Sequence, residues 1–240
     1  METLHWNPDD AWLLTGLLWS LTGFALYYFL SKQAFPSVWL SAKVQMLKPE
    51  VSRILAQRAW GVLFLGIIPM MIIHVGLNRP LTDFGLRLQF LQPPPWWIYA
   101  LIPLIALISY ATASKPSNLA LYPQIRARTW SNGTVWLNAI SWVVFLVAYE
   151  FLFRGFLLFC SLATLNPFSA IVLNVVLYAF AHFYKGPSEV FGSIPIGVVF
   201  CYLTLITGNI WCAVAIHSIM ALSHEWFSLQ AHPQINLVRK

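Results

Sequence analysis

The chain has 240 residues, of which 59% are hydrophobic and 9% charged, and its formal net charge is +6. An ordinary globular domain carries roughly 25% charged residues, so the composition excludes a water-soluble enzyme and a disordered chain. The 14 Lys and Arg residues are scattered between apolar runs, which also excludes a nucleic-acid module built on a basic face. Cys160, Cys201 and Cys212 lie in or beside apolar segments, and we interpret them as small buried hydrophobic residues.

Long apolar segments predict a polytopic membrane protein, because a spanning helix needs about 20 mostly apolar residues. In chain order the predicted spans are Ala11–Leu30, Trp60–Val75, Trp96–Tyr110, Val135–Cys160, Phe168–Phe183, Val190–Ile206 and Ile210–Trp226. The last four are joined by very short connections, so we expect antiparallel neighbours. The predicted fold class is an all-α membrane helix bundle with about seven transmembrane helices.

The basic residues between these spans predict the orientation of the chain. One side of the membrane receives Lys32, Lys43, Lys48, Arg53, Arg58, Lys115, Arg126, Arg128, Lys185, Arg239 and Lys240. The other side receives only Arg79 and Arg87. Because cytoplasmic loops carry the excess of Lys and Arg, we expect the N-terminus outside and the C-terminus in the cytoplasm. The compact size favours a bacterial inner membrane.

Charged side chains inside predicted spans are rare and costly, so they are candidates for function. Glu150 and Arg154 are four residues apart on one helix and therefore share a face, where they can form an ion pair. On the next span, Asn174, Tyr178 and His182 follow at spacings of four and form one polar stripe. This pattern predicts a polar cluster between two neighbouring helices.

The last predicted span adds His217 and His224, which are seven residues apart and return to the same helix face. A carboxylate and imidazoles that converge in a shielded cavity have the chemistry to activate water. They are also possible zinc ligands. Two other interpretations stay open: a structural ion pair that pins the bundle, and a proton relay of a small transporter. The sequence has no repeat halves, which disfavours the transporter.

Three motifs resemble those of the CPBP family of intramembrane proteases, which includes the CAAX-processing endopeptidases and Abi-like bacterial proteins. Tyr149–Phe156 is similar to the family pattern Glu-Glu-x-x-x-Arg-Gly. Tyr178–His182 is similar to Phe-x-x-x-His, and His217–Ala221 falls at the place of His-x-x-x-Asn. Leu81–Leu86 resembles a Phe-Gly-Leu segment upstream of these motifs. The resemblance implies an intramembrane endopeptidase.

Two positions depart from the family pattern. Tyr149 replaces the first Glu, which in the family is held to activate the water, and Ala221 replaces the terminal Asn. The resemblance therefore leaves two alternatives. Either Glu150 activates the water in a divergent protease, or the chain is a catalytically inactive member that acts in immunity or partner binding.

The resemblance also implies roles for individual residues. Glu150 is the expected general base, His182 orients or polarises the water, and His217 stabilises the oxyanion. Among the supporting residues, Arg154 holds Glu150, and the hydroxyl of Tyr149 can donate to an oxyanion. His224 can supply a missing polar group. The other two supporting residues are Tyr178 and Asn174. No cofactor is predicted, and zinc bound by Glu150, His182, His217 and His224 is the alternative.

The predicted division of the chain has three parts. Residues 1–80 hold N-terminal transmembrane helices and a basic cytoplasmic segment, 81–226 hold the protease core, and 227–240 form a cytoplasmic tail. The expected partners are the lipid bilayer and a membrane-anchored protein or peptide as substrate. No nucleic acid is expected, and no oligomeric state follows from the sequence.

Overall fold

The computed structural model describes residues 7, 9–33, 38 and 48–238 of the chain. Its helices are α1 (Asp10–Leu30), α2 (Pro49–Gly76), α3 (Ile98–Thr112), α4 (Pro116–Leu121), α5 (Asn132–Leu162), α6 (Pro167–Ala181), α7 (Pro187–Thr207) and α8 (Trp211–Ala231). Single 3₁₀ turns cover Leu81–Phe84 and Phe183–Lys185. The predicted all-α fold class is confirmed.

Five of the described helices are long and apolar enough to cross a membrane, namely α1, α2, α5, α6 with its 3₁₀ extension, and α7. The 15 residues of α3 are apolar but form a shorter helix. The 21 residues of α8 include His217, His224 and Glu225, which lower its hydropathy, and α8 is not among the five. The total of seven spans therefore stays a prediction.

Proline and glycine positions explain several helix ends. Pro49, Pro167 and Pro187 each begin a helix, where the missing N–H of proline costs nothing. Gly208 ends α7 with φ of 71°. The second predicted span began at Trp60, whereas α2 begins at Pro49. The first turns of α2 are polar, so they extend the helix beyond the predicted apolar span.

The chain forms two compact units, each made of several segments. Unit 1 contains Met1–Leu26, Leu63–Pro94 and Ala148–Ala213, and unit 2 contains Tyr27–Val62, Pro95–Val147 and Val214–Lys240. The two units interleave along the sequence. The sequential division into 1–80, 81–226 and 227–240 is a different kind of partition and stays a prediction.

Within unit 1, the segment that follows α2 is hydrogen-bonded to the turn after α7. The Leu91 N–H donates to the Thr207 carbonyl at 2.8 Å, and the Ile210 N–H donates to the Gly85 carbonyl at 3.1 Å. The Trp211 indole N–H donates to the Arg87 carbonyl at 2.8 Å. These bonds fix the Phe-Gly-Leu segment in place.

Unit 2 contains a small parallel sheet of β1 (Thr129–Ser131) and β2 (Asn236–Val238), with Trp130 opposite Leu237. The sheet lies beside an apolar core made of Val51, Ile54, Ile125, Ala127, Trp130, Leu229 and Ile235. The Lys48 ammonium donates to the Thr129 carbonyl at 3.0 Å. The predicted tail is thus partly built into unit 2 through β2.

Candidate active site

The candidate site is built on an irregular stretch of α5. The helix is α-helical up to Glu150, forms a π-helix over Phe151–Leu157, and returns to α-helical form over Leu158–Leu162. Every residue of the π-helical stretch is buried. π-Helical turns occur frequently at functional sites, but α2 also has them over Val62–Ile67 and Ile72–Gly76, so this form alone does not mark a site.

Glu150 and Arg154 form the ion pair that their spacing predicts. Arg154 Nε lies 3.4 Å from Glu150 Oε2, and both side chains have 0% exposure. Both charges are buried away from bulk solvent, so each depends on the other for compensation. The removal of one partner would leave an uncompensated charge in an apolar interior.

Aromatic rings surround the Arg154 guanidinium. Its Cζ lies 4.0 Å from the ring centroid of Tyr178, 5.2 Å from that of Phe200 and 5.8 Å from that of Phe153. A cation is attracted by the faces of such rings, most strongly where water is excluded. Gly197 allows the approach of α7, because a Cβ there would lie 3.1 Å from Tyr178 Cδ1. Sequence reasoning missed Phe200 and Gly197, since α7 carries no motif.

His182 directly follows α6 and is buried. Its Nδ1 lies 2.9 Å from the Tyr178 carbonyl oxygen. A carbonyl only accepts hydrogen bonds, so we infer that Nδ1 carries a proton. In the neutral ring Nε2 is then the acceptor, which is the atom that can take or orient a proton of water.

Tyr149 lies in the same aromatic cluster as His182. The Tyr149 ring centroid is 6.2 Å from that of His182, 5.9 Å from that of Tyr178 and 5.1 Å from that of Phe153. Tyr149 is buried, with 6% exposure. The position of the first family Glu therefore lies next to the histidine ring, while Glu150 pairs with Arg154.

Asn174 connects α6 to the π-helical stretch. Its Nδ2 donates to the Phe153 carbonyl at 2.6 Å, and its Oδ1 accepts from the Cys201 thiol at 3.2 Å. Buried carbonyls need a partner, and irregular helix turns satisfy theirs less well than α-helical turns do. Asn174 therefore supports the segment that carries Glu150 and Arg154.

Gly155 explains the glycine of the first motif. A Cβ at this position would lie 2.6 Å from Phe151 Cδ2 and 2.8 Å from the Phe84 carbonyl oxygen. Real Cβ contacts do not come so close, so no larger residue fits without a shift. The upstream Phe-Gly-Leu segment thus packs directly against the motif helix.

The two histidines of α8 belong to unit 2, whereas Tyr149, Glu150, Arg154, Asn174, Tyr178 and His182 belong to unit 1. His217 is buried with 8% exposure, and Ala221, at the place of the family Asn, is also buried. His224 is half-buried and stacks on Tyr122, with ring centroids 5.5 Å apart. The predicted roles of His217 and His224 stay predictions.

Within the described ranges, no group of three or more His, Cys, Asp and Glu side chains is placed to hold a metal ion. The zinc alternative, with Glu150, His182, His217 and His224 as ligands, stays a prediction. We derive no step through a metal.

Unit 2 contains a second buried charge cluster that the sequence analysis missed. The Glu225 carboxylate accepts hydrogen bonds from the Gln124 N–H at 3.0 Å and the Trp142 indole N–H at 3.1 Å. Arg58 donates to the Gln124 side chain at 3.1 Å, and its Cζ lies 4.5 Å from the Trp142 ring centroid. Arg58 and Glu225 have 4% and 3% exposure.

The fold and these side chains define an integral membrane protein with a buried carboxylate, guanidinium and imidazole on neighbouring helices. The family model for type II CAAX prenyl endopeptidase Rce1-like proteins matches residues 120–223, which include all three motifs. This match supports the resemblance of residues 120–223 to the CPBP family of CAAX-type intramembrane proteases. No curated protein and no solved structure matches the chain.

Proposed function

We propose that the protein is an intramembrane endopeptidase that hydrolyses a membrane-associated protein or peptide with a glutamate-activated water. The observation that carries the proposal is the fully buried Glu150–Arg154 pair at the start of a π-helical stretch, inside the Rce1-like match. Intramembrane charges are costly and are retained mainly where they serve function. His182 is in the same unit and is hydrogen-bonded through Nδ1.

In the proposed reaction the Glu150 carboxylate takes a proton from water while the water oxygen attacks the scissile carbonyl carbon. Collapse of the tetrahedral intermediate breaks the C–N bond, and the proton passes to the leaving nitrogen. The products are a carboxyl terminus and an amine. Arg154 holds Glu150 in position, and His182 orients the water through Nε2.

His217 and the Tyr149 hydroxyl are the proposed oxyanion donors. The substrate is a membrane-anchored or membrane-entering polypeptide, and the lipid bilayer is the medium in which it is bound. The proposed location is a bacterial inner membrane with the N-terminus outside and the C-terminus in the cytoplasm. The proposal requires no prenyl group on the substrate and no nucleic acid.

The test maps protein termini in the membrane and secreted fractions of cells that carry the wild type, Glu150→Gln or His217→Ala. Asp83→Asn replaces an exposed acid of unit 1 and is the matched control. We expect one precursor to accumulate uncut in both site variants and to be cut in the control, at equal protein levels. If no terminus changes although both site variants fold and insert, the peptidase proposal is wrong.

A catalytically inactive protein that binds a partner is the second candidate, and Tyr149 is the observation that favours it. The side chain next to His182 is a phenol that cannot act as a carboxylate base. Tyr149→Glu restores the family pattern at this position. If Glu150→Gln leaves all termini unchanged and Tyr149→Glu creates new ones, the native chain is the inactive type.

A further inference from the structure

A crevice of about 90 Å³ lies between α1 and α6 in unit 1. Ser20, Leu21 and Phe24 line it from α1, and Phe180 and Ala181 line it from α6. Both helices are among those long and apolar enough to cross a membrane. The crevice is therefore a small opening between two candidate membrane spans.

Ser20 is the polar side chain of this crevice. It has 4% exposure, and its hydroxyl has no hydrogen-bond partner among the residues that the structure describes. A serine inside a helix usually satisfies its hydroxyl on the carbonyl one turn earlier, as Thr22 does with Leu18. The Ser20 hydroxyl is thus a buried donor within an otherwise apolar crevice, able to bind an acceptor that enters it.

The crevice adjoins the candidate active site. Phe153 lines the crevice, and its ring lies 5.1 Å from that of Tyr149 and 5.3 Å from that of Tyr178. Ala181, on the same wall, directly precedes His182. A molecule in the crevice is therefore separated from the aromatic cluster around His182 by one side chain.

We propose that this crevice is a subsite for an extended stretch of substrate polypeptide next to the scissile bond, an inference that rests on the proposed function. A peptide that is unwound for cleavage inside a bilayer has carbonyls without partners, and each unsatisfied group is costly there. The Ser20 hydroxyl donates to one such carbonyl, while Phe24 and Phe180 contact an apolar side chain. A hydrocarbon chain of a lipid has no acceptor for Ser20.

The probe is a short apolar peptide with a photoreactive phenylalanine at its centre. The experiment measures its photo-crosslinking to the full chain in phosphatidylcholine vesicles. Leu21→Trp narrows the crevice, and Leu18→Trp is its matched control. Leu21 and Leu18 have 53% and 54% exposure on the same helix, but only Leu21 lines the crevice. We expect Leu21→Trp to abolish labelling of α1 and Leu18→Trp to leave it unchanged.

Ser20→Ala should lower this labelling about 3- to 10-fold, which is the value of one uncharged hydrogen bond. Equal labelling in the two tryptophan variants, or no labelling of α1 in the wild type, overturns the subsite. A photoreactive fatty acid that labels α1 and displaces the peptide also overturns it, in favour of a lipid.

Hydrolysis of the same peptide is followed in parallel, with Glu150→Gln as the reference that should still be labelled. Labelling that depends on Leu21 without any hydrolysis would refute the peptidase proposal and keep the binding site. Hydrolysis that is lost in Glu150→Gln but is equal in the two tryptophan variants would refute the subsite alone.

Discussion

The buried charges of unit 2 give a sharp prediction about stability. Glu225→Leu removes the acceptor of the Trp142 indole and the Gln124 backbone N–H. It also removes a carboxylate that attracts the buried Arg58 guanidinium. We expect the free energy of unfolding to fall by about 2–6 kcal/mol, because each buried donor that loses its acceptor costs about 1–3 kcal/mol. Arg58→Met should also destabilise the fold, because Glu225 loses a nearby cation and the Gln124 side chain loses its donor.

The double variant distinguishes a coupled pair from two independent sites. The double variant leaves neither charge buried without the other. Its loss in the free energy of unfolding should therefore be smaller than the sum of the two single losses by about 1–3 kcal/mol. The exposed Glu50 on α2 provides the control, and Glu50→Gln should stay within about 0.5 kcal/mol of the wild type.

The assay is unfolding in mixed detergent micelles, followed by tryptophan fluorescence and circular dichroism for all four variants. Strictly additive losses would show that Arg58 and Glu225 do not compensate each other. A Glu225→Leu variant as stable as the wild type would refute the cost assigned to the two orphaned donors.

Three further perturbations test other parts of the structure. Gly155→Ala should cost about 1–3 kcal/mol by overpacking, whereas Gly192→Ala, whose new Cβ meets nothing within 4 Å, should be neutral in the same unfolding assay. Asn174→Ala should cost about 1–3 kcal/mol, because the Phe153 carbonyl loses its donor; unchanged stability would contradict this. Partial burial lowers the pKa of His232 below its ordinary 6.5, so the unfolded state takes up this proton first. The free energy of unfolding, and with it Tm, should therefore fall as the pH drops below about 6.5. In His232→Gln this fall in Tm should be smaller.

The sequence predicted the parts of the structure that depend on local pattern. Charged residues are conspicuous in apolar segments, and a spacing of four places two residues on one helix face. The Glu150–Arg154 pair could therefore be predicted from the sequence. The π-helical form of Phe151–Leu157 could not be predicted from the sequence, because its stability depends on residues elsewhere in the fold. One of them is the amide of Asn174, which satisfies the Phe153 carbonyl.

Arg58 and Glu225 were missed for a related reason. The distribution of basic residues placed Arg58 among the charges of a cytoplasmic segment, and Glu225 stood near the end of a predicted span where charges are common. Nothing in either local pattern indicates the other residue, since the two lie far apart in sequence and are joined through Gln124 and Trp142. Strands of three residues, such as β1, are also too short to show an alternating pattern.

In the proposed reaction, the adjacent positions of Tyr149 and Glu150 on α5 determine which side chain can act as the base. Successive residues of a helix point in directions about 100° apart, so a single turn can present one side chain to His182 and the next to Arg154. The family pattern has carboxylates at both positions, and this chain retains only the one that pairs with Arg154. Catalysis by Glu150 therefore requires one carboxylate to compensate the guanidinium and to take the proton from water. Once Glu150 has taken the proton and is neutral, it attracts the Arg154 guanidinium less strongly. The rings of Tyr178 and Phe200 then contribute more to the stabilisation of the guanidinium charge. On this reasoning, replacing either ring should impair a Glu150-dependent reaction more than it impairs folding.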